Sequence, residues 1–551
     1  MTSIFRKTAF AFAAALPLCS FALQRTDLLP PQGQAYVRVS DTVRFWEKLR
    51  QSSVGRLWVD QQFQDFLGNP EMESWHTLFF DSESSAENEV WLDQMKMLTG
   101  EVILAFDTQS ENIYIIANMS EEDFERGLEL DENLRSIMEN PFDIVHTSFQ
   151  GVEIIQHVDS PGTETETLSW QAHVGRTFVM GYNREWVEQC IVRLKNDDIT
   201  EPAGHPVLNL KIPIRQMLLD SIGDDPADQE DRRLFDAMGL LGVNAFTSRV
   251  EMRDEEMVIH NNLSIEDLQQ GLFKALDTQP SELPTVEFIP ENISSLEVGR
   301  INLFGLWKEI PVMLSRVNPA SQQQFDMMLS MFRQQTGIDP EQDLLSHLGT
   351  KFLTYSTVEG DRQTTVIALE LKDGMAFKQG LESGLTAPAM QPYVSALIDE
   401  SDFLDHTIYT PKNADDPTDI MGIAVTDEYL LYGDPRGLRQ AIRGIASSGA
   451  ANTAFEQTEL VQGLRAQVAP SAFGFSAIDW KKSMDVILAE LTKPEYTTAI
   501  QQKWALSGSP LPPPDFDKLP PADHIAQYFN ISYQYIEATD DGLHQKIILK
   551  Y

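Results

Sequence analysis

Apolar and polar positions alternate over short stretches along most of this chain, and the stretches come in pairs. Gly100-Glu-Val-Ile-Leu-Ala-Phe-Asp-Thr108 reads like Gly349-Thr-Lys-Phe-Leu-Thr-Tyr-Ser-Thr357. A second apolar run follows each, Ile113-Tyr-Ile-Ile-Ala117 and Thr365-Val-Ile-Ala-Leu369. A period of two predicts strands. Helical patterns follow, with Phe124 three residues before Gly127 and Phe377 three before Gly380. Val174–Gly181 and Thr426–Gly433 each predict a turn, a strand and a terminal glycine. The next helices start at Asn183 and at Asp434-Pro435, where a capping side chain and a first-turn proline suit a helix N-terminus. Each set closes on a hairpin. Arg249–Met252 turns at Asp254-Glu-Glu256 into Met257–Leu263, and Ile531–Ile536 turns at Asp540-Asp-Gly542 into Leu543–Leu549.

The same blocks in the same order predict two diverged copies of one unit. The expected division is a signal peptide at 1–22, a first copy at 23–277 whose resemblance starts near residue 28, a linker at 278–283 and a second copy at 284–551. Gly100 is expected on Gly349, Phe124 near Phe377 and Gly181 on Gly433, with Phe106 and Tyr355 on equivalent faces. Groups of strands separated by helices, without strict βαβ alternation, predict the α+β class. Each copy is expected to be a mainly antiparallel sheet with helices packed on one face. Its strand order reads strand–helix, two strands–helix, three strands–helix, strand–helix, hairpin. The segments 223–231 and 507–515 read as exposed insertions at matching places. Whether the copies share one sheet is open at this level.

Composition bounds the rest. The 551 residues, 42% hydrophobic and 23% charged, suit two or three globular domains. A net charge of -41 disfavours nucleic acid and anionic membrane surfaces as partners. The N-terminus carries Arg6 and Lys7, a short apolar run at 8–18 and Ser20-Phe-Ala22, the pattern of a secretory signal cleaved after Ala22. Leu18 before Cys19 argues against lipidation. The expected location is periplasmic or secreted, with no transmembrane segment after cleavage. Cys190 then stands alone, flanked by Trp186, Val187 and Ile191, and is expected to be a buried inert thiol.

Signatures of chemistry are missing. There is no Gly-x-Ser-x-Gly, His-Glu-x-x-His, Cys-x-x-Cys or phosphate loop, and no two of the ten histidines lie three or four apart. Acidic clusters at Asp224, Asp225, Asp228, Glu230 and Asp231, at Asp415, Asp416 and Asp419, and at Asp81 with Glu83 lack the spacing of a calcium loop. They are expected to be solvated. Tryptophans such as Trp46 and Trp307 recur at matched positions, as core residues do. No catalytic, cofactor-binding or metal-binding residue is assigned, and no cofactor is expected.

The Pro30-Pro31 turn, the run Ala35-Tyr-Val-Arg-Val39, the stretch Val54-Gly-Arg-Leu-Trp58 to Phe63-Gln-Asp-Phe66, and Leu519-Pro-Pro-Ala-Asp523, Tyr528-Phe529 and Asp541-Gly542 resemble a family of exported bacterial proteins known only as a domain of unknown function. The resemblance implies an envelope or extracellular location and no activity. The expected role is a non-catalytic envelope protein, binding or structural, whose partner is an unknown ligand or envelope component. A carrier of lipid or another apolar ligand is the alternative, and it requires a sheet face that is apolar yet uncovered. A divergent hydrolase is a further alternative.

Overall fold

The computed structural model describes residues 28–30, 34–67, 100–108, 112–137, 143–159, 167–196, 207–222, 226–283, 288–359, 362–412, 421–447, 453–507 and 513–551. The expected signal peptide with Cys19 lies outside these residues, as do Asp81, Glu83 and Asp415–Asp419.

The first half contributes ten strands: β1 (Gln34–Val39), β2 (Val102–Asp107), β3 (Ile113–Asn118), β4 (Asp143–Phe149), β5 (Val152–Asp159), β6 (Thr167–Val174), β7 (Thr177–Gly181), β8 (Val207–Ile212), β9 (Val243–Met252) and β10 (Glu256–Ile265). All pairings are antiparallel, in the order β4-β5-β6-β7-β3-β2-β1-β8-β9-β10. The second half contributes β11 (Ile293–Arg300), β12 (Leu348–Glu359), β13 (Arg362–Leu371), β14 (Ile398–Phe403), β15 (His406–Pro411), β16 (Gly422–Val425), β17 (Tyr429–Gly433), β18 (Ala472–Asp479), β19 (Ile531–Thr539) and β20 (Gly542–Lys550). Their order is β14-β15-β16-β17-β13-β12-β11-β18-β19-β20, again all antiparallel. Strand for strand, the two orders are the same. β10 then pairs with β20 over nine residues, from Glu256↔Lys550 to Ser264↔Gly542. The described strands therefore form one mixed-in-sequence but wholly antiparallel sheet of 20 strands, with a seam at β10/β20.

The expected helix caps and closing hairpins are present. Asn183 Oδ1 accepts from Trp186 N at 3.2 Å, and Asp434 caps Arg436 N and Gly437 N. Both expected hairpins form, and Gly542 turns the second at φ +133. The third strand group, however, has four strands and not three, β4–β7 and β14–β17. The acidic stretch read as a first insertion is in part a helix, Pro226–Ala237. Carboxylates near a helix N-terminus stabilise it.

Helices cover both faces, which corrects the expected single helical layer. On β2 and β3, Val102 and Ala117 pack against Phe45 of the helix Thr42–Gln51. Their neighbours Ile103 and Ile116 point the other way, against Trp186, Val187 and Ile191 of the helix Arg184–Asn196. The second half repeats this. Leu353, Val366 and Leu431 meet Leu438 and Ile442 of the helix Pro435–Ala446, while Leu371 and Val425 meet Phe377 of the helix Gly374–Thr386. An almost purely apolar strand reads alike from either side, so the pattern of residues did not reveal the second layer.

One expected match fails in an informative way. A Cβ on Gly100 would meet the side chain of Asn118, and one on Gly349 would meet Glu370, residues at matching places on β3 and β13. Each glycine thus lies against the last residues of the strand that follows its own. But β12 has a bulge between Leu348 and Phe352, so one extra residue separates Gly349 from the regular strand. A one-residue shift inverts every later side chain. Phe106 consequently lies on the Phe45 face, and Tyr355 lies on the opposite one, buried with Leu353 and Leu296.

Candidate functional site

The two faces of the seam differ in chemistry. Following directly opposed pairs across β9, β10, β20 and β19, one face presents Phe246, Leu263, Leu543 and Ala538 at one end. Toward the other end it presents Val250, Ile259 and Ile547, then Met257 and Leu549. These side chains are apolar yet only half-buried. Phe246, Ile259, Leu263, Ile536, Leu543 and Ile547 belong to none of the five buried clusters. On the reverse face, Val258 and Ile548 are almost fully buried in the main core of the second half.

A row of amides crosses the middle of this apolar floor. Asn261 Nδ2 donates to Gln545 Oε1 at 2.9 Å, and Gln545 Nε2 donates to Gln534 Oε1 at 3.4 Å. The floor continues into a mostly apolar pocket of about 200 Å³ lined by Gly299, Phe352, Gly474, Gln534 and Ile536. Four strands at their usual spacing make the floor roughly 15 Å wide, and ten-residue strands make it roughly 30 Å long. An apolar surface with a few placed polar groups is the usual make-up of a small-molecule site.

Each half sends an arm across to the other. The helices Ser53–Trp58 and Gln61–Leu67 of the first half pack Leu57 and Phe63 against Met484, Ile525 and Ala526 of the second. Asp60 ties them down: His524 Nε2 lies 3.0 Å from Oδ1, and Tyr528 OH donates to Oδ2 at 2.8 Å. Burial pushes the Asp60 pKa up, but the bonds to His524 and Tyr528 outweigh it and hold the carboxyl below its ordinary range. From the second half, the helix Leu303–Val317 places buried Glu309 2.6 Å from Lys274 Nζ of the first. Arg300 and Asp277 form a second pair there, at 2.8 Å.

The reverse face of the seam carries the histidines that sequence reading passed over. His544 Nδ1 lies 3.0 Å from Glu537 Oε1, and a carboxylate can only accept, so Nδ1 donates. His544 Nε2 is then the acceptor for His260 Nδ1 at 3.2 Å. Ser471 Oγ donates to the other Glu537 oxygen. His260 and His544 are 284 residues apart, and only the β10/β20 pairing brings them together. Burial is the main cause that lowers the His260 pKa below its usual value; Glu251 opposes it, and His544, Lys546 and Arg249 add to it. A lowered histidine binds its proton more weakly folded than unfolded, so its contribution is present above about pH 6.5 and is lost as pH falls below that. We expect the wild type to lose stability between pH 7 and pH 5, and His260→Gln to lose less. Urea midpoints at the two pH values check this, and equal losses would remove His260 from the account.

Of the expected features, Cys190 is buried as read, and burial pushes its thiol up to about 12. Trp186 is core, and Trp307 packs on Phe325 with ring centres 5.7 Å apart. Asp224 and Asp225 lie outside the described residues. Among the described residues no group of three or more His, Cys, Asp or Glu is placed to hold a metal. No helix among them is long and apolar enough to cross a membrane. No family model, curated protein or solved structure matches the chain.

Proposed function

We propose that this chain is a non-catalytic, exported envelope protein that binds an apolar or amphipathic ligand along the seam. We further propose that its halves are diverged copies of one unit. The observation that carries the binding reading is the part of the β9/β10/β20/β19 floor formed by Phe246, Ile259, Leu263, Ile536, Leu543 and Ile547, apolar and half-buried yet outside all five buried clusters, whereas Val250 and Met257 at its other end pack against the Phe45 core. A folded chain ordinarily buries such side chains, because each exposed Å² of apolar surface costs about 25 cal/mol. The identical strand order of the halves supports descent from one unit, as do the paired glycines Gly100/Gly349 and Gly181/Gly433. The secretory pattern at 1–22 and the resemblance to exported proteins support the envelope location; sequencing of the native protein is expected to start near Leu23.

The floor serves a carrier better than a hydrolase. Ser471 donates to Glu537 and not to a histidine, so these neighbours do not form a serine–histidine nucleophile. Native mass spectrometry of protein from its own periplasm is expected to show a bound mass that organic solvent extracts. A fluorescent apolar probe is expected to bind the emptied protein and to lose about tenfold in affinity in Leu543→Trp, which fills the floor. A protein that carries no ligand and binds no probe would overturn the reading.

A further inference from the structure

The floor and the pocket of about 200 Å³ beside it share Gln534 and Ile536. Four rows of four directly opposed residues make up the floor face of β9, β10, β20 and β19, from the row of Met257 to the row of Leu263. None of these residues is charged. The reverse face of the same strands carries Arg249, Glu251, Lys546 and Glu537, so the lack of charge belongs to one face and not to these segments as a whole. Outward from Gln534 the same row continues through Ser476 of β18 to Glu297 of β11. Glu297 is exposed and lines the pocket, two strand spacings or roughly 10 Å from Gln534. Arg300 also lines the pocket, and Asp277 at 2.8 Å and Thr350 Oγ1 at 2.9 Å hold its guanidinium. An anionic group placed here would meet an acid and a cation that is already paired.

The amides that cross the floor all point one way. Asn261 donates to Gln545, and Gln545 donates to Gln534. The row ends at Gln534, whose Nε2 carries two N–H groups and has no acceptor among the described residues. Hydrogen bonds in a chain polarise one another, which strengthens the donor at its end. That donor stands where an apolar floor meets a mostly apolar pocket. It is complementary to an oxygen that accepts a hydrogen bond without carrying charge. An ionised carboxylate would have to leave water for a face that holds no cation, and one hydrogen bond returns far less than that costs.

We infer that the seam takes a neutral ester, with its apolar body on the β9/β10/β20/β19 floor and its carbonyl oxygen accepting from Gln534 Nε2. This rests on the binding reading above. The test uses fluorescence on the whole delipidated protein at about pH 8, where a carboxylic acid is ionised. The probes are diphenylhexatriene, which has no polar group, the methyl ester of cis-parinaric acid, and the acid itself. The wild type is expected to bind the ester at least about tenfold more tightly than the acid. Gln534→Leu removes the donor at similar volume, and Gln534→Glu keeps the shape while turning the donor into an acceptor; circular dichroism confirms each fold. Each variant is expected to lower the affinity for the ester, relative to that for diphenylhexatriene, by about tenfold. If the acid binds the wild type as tightly as the ester, or if either folded variant keeps the wild-type ratio, the inference falls and the apolar floor stands. If the wild type binds none of the probes, the floor itself fails as a site.

Discussion

Val258→Asp is expected to destabilise the whole protein by about 4 kcal/mol at pH 7, as an unpaired buried charge does. Val258 is completely buried, directly opposite Ile548 across the seam and opposite Glu251 on its other side. A carboxylate there has no cation directly opposite, faces Glu251 and lies against the core of the second half. Burial raises the pKa of such an acid above its unfolded value. Its penalty is therefore small below about pH 4 and grows as pH rises through the unfolded value. Urea unfolding relative to wild type at pH 7 and at pH 4.5 should show the larger deficit at pH 7. Val258→Ala removes only methyl groups and should cost less, with no such pH dependence. Because the sheet is continuous, the loss should appear in one transition for both halves. A variant whose second half unfolds at the wild-type midpoint would contradict a shared seam.

The reason the seam escaped sequence reading is the same reason it holds. β10 and β20 each alternate in the ordinary way, and each closes its own hairpin. Nothing in Met257–Leu263 or Leu543–Leu549 marks them as neighbours, because backbone pairing places no demand on residue identity. Hairpins, helix caps and strand ends were legible because each is set within a few residues, by Asp-Gly, Asn183 or Asp434-Pro435. The orientation of Tyr355 was not, because one bulge residue beyond Gly349 inverts a strand without changing its composition. The candidate site was illegible for a related reason. Phe246, Ile259, Leu543 and Ile547 look like core residues in sequence, and only the placement of helices leaves them half-buried. Likewise His260 and His544 are unremarkable singly and meet only through the seam.

Trp186→Ala is expected to cost about 3–5 kcal/mol, the range for emptying a buried aromatic site. Trp186 is 6% exposed, its ring centre lies 4.8 Å from that of Tyr114, and its Nε1 donates to Leu28 O at 2.8 Å. Removal leaves a cavity between the sheet and the helix Arg184–Asn196 and leaves the Leu28 carbonyl with only the weak Cys190 thiol donor at 3.8 Å. Gly181 shows how close that packing is: a Cβ there would sit 2.9 Å from the Trp186 ring and 3.0 Å from Tyr114. Gly181→Ala should therefore destabilise the wild type, and less so the Trp186→Ala background, where the colliding ring is gone. Gly433→Ala has no such rescue, because its Cβ would meet the Thr365 carbonyl oxygen at 2.3 Å, and backbone within a paired strand cannot step aside. A double-mutant cycle of Gly181→Ala with Trp186→Ala, read by urea unfolding, separates the two cases. Strong coupling places the helix on this second face of the sheet. Additive effects with a Trp186→Ala cost below about 1 kcal/mol would mean that the helix does not dock there, and the two-sided layering would fail.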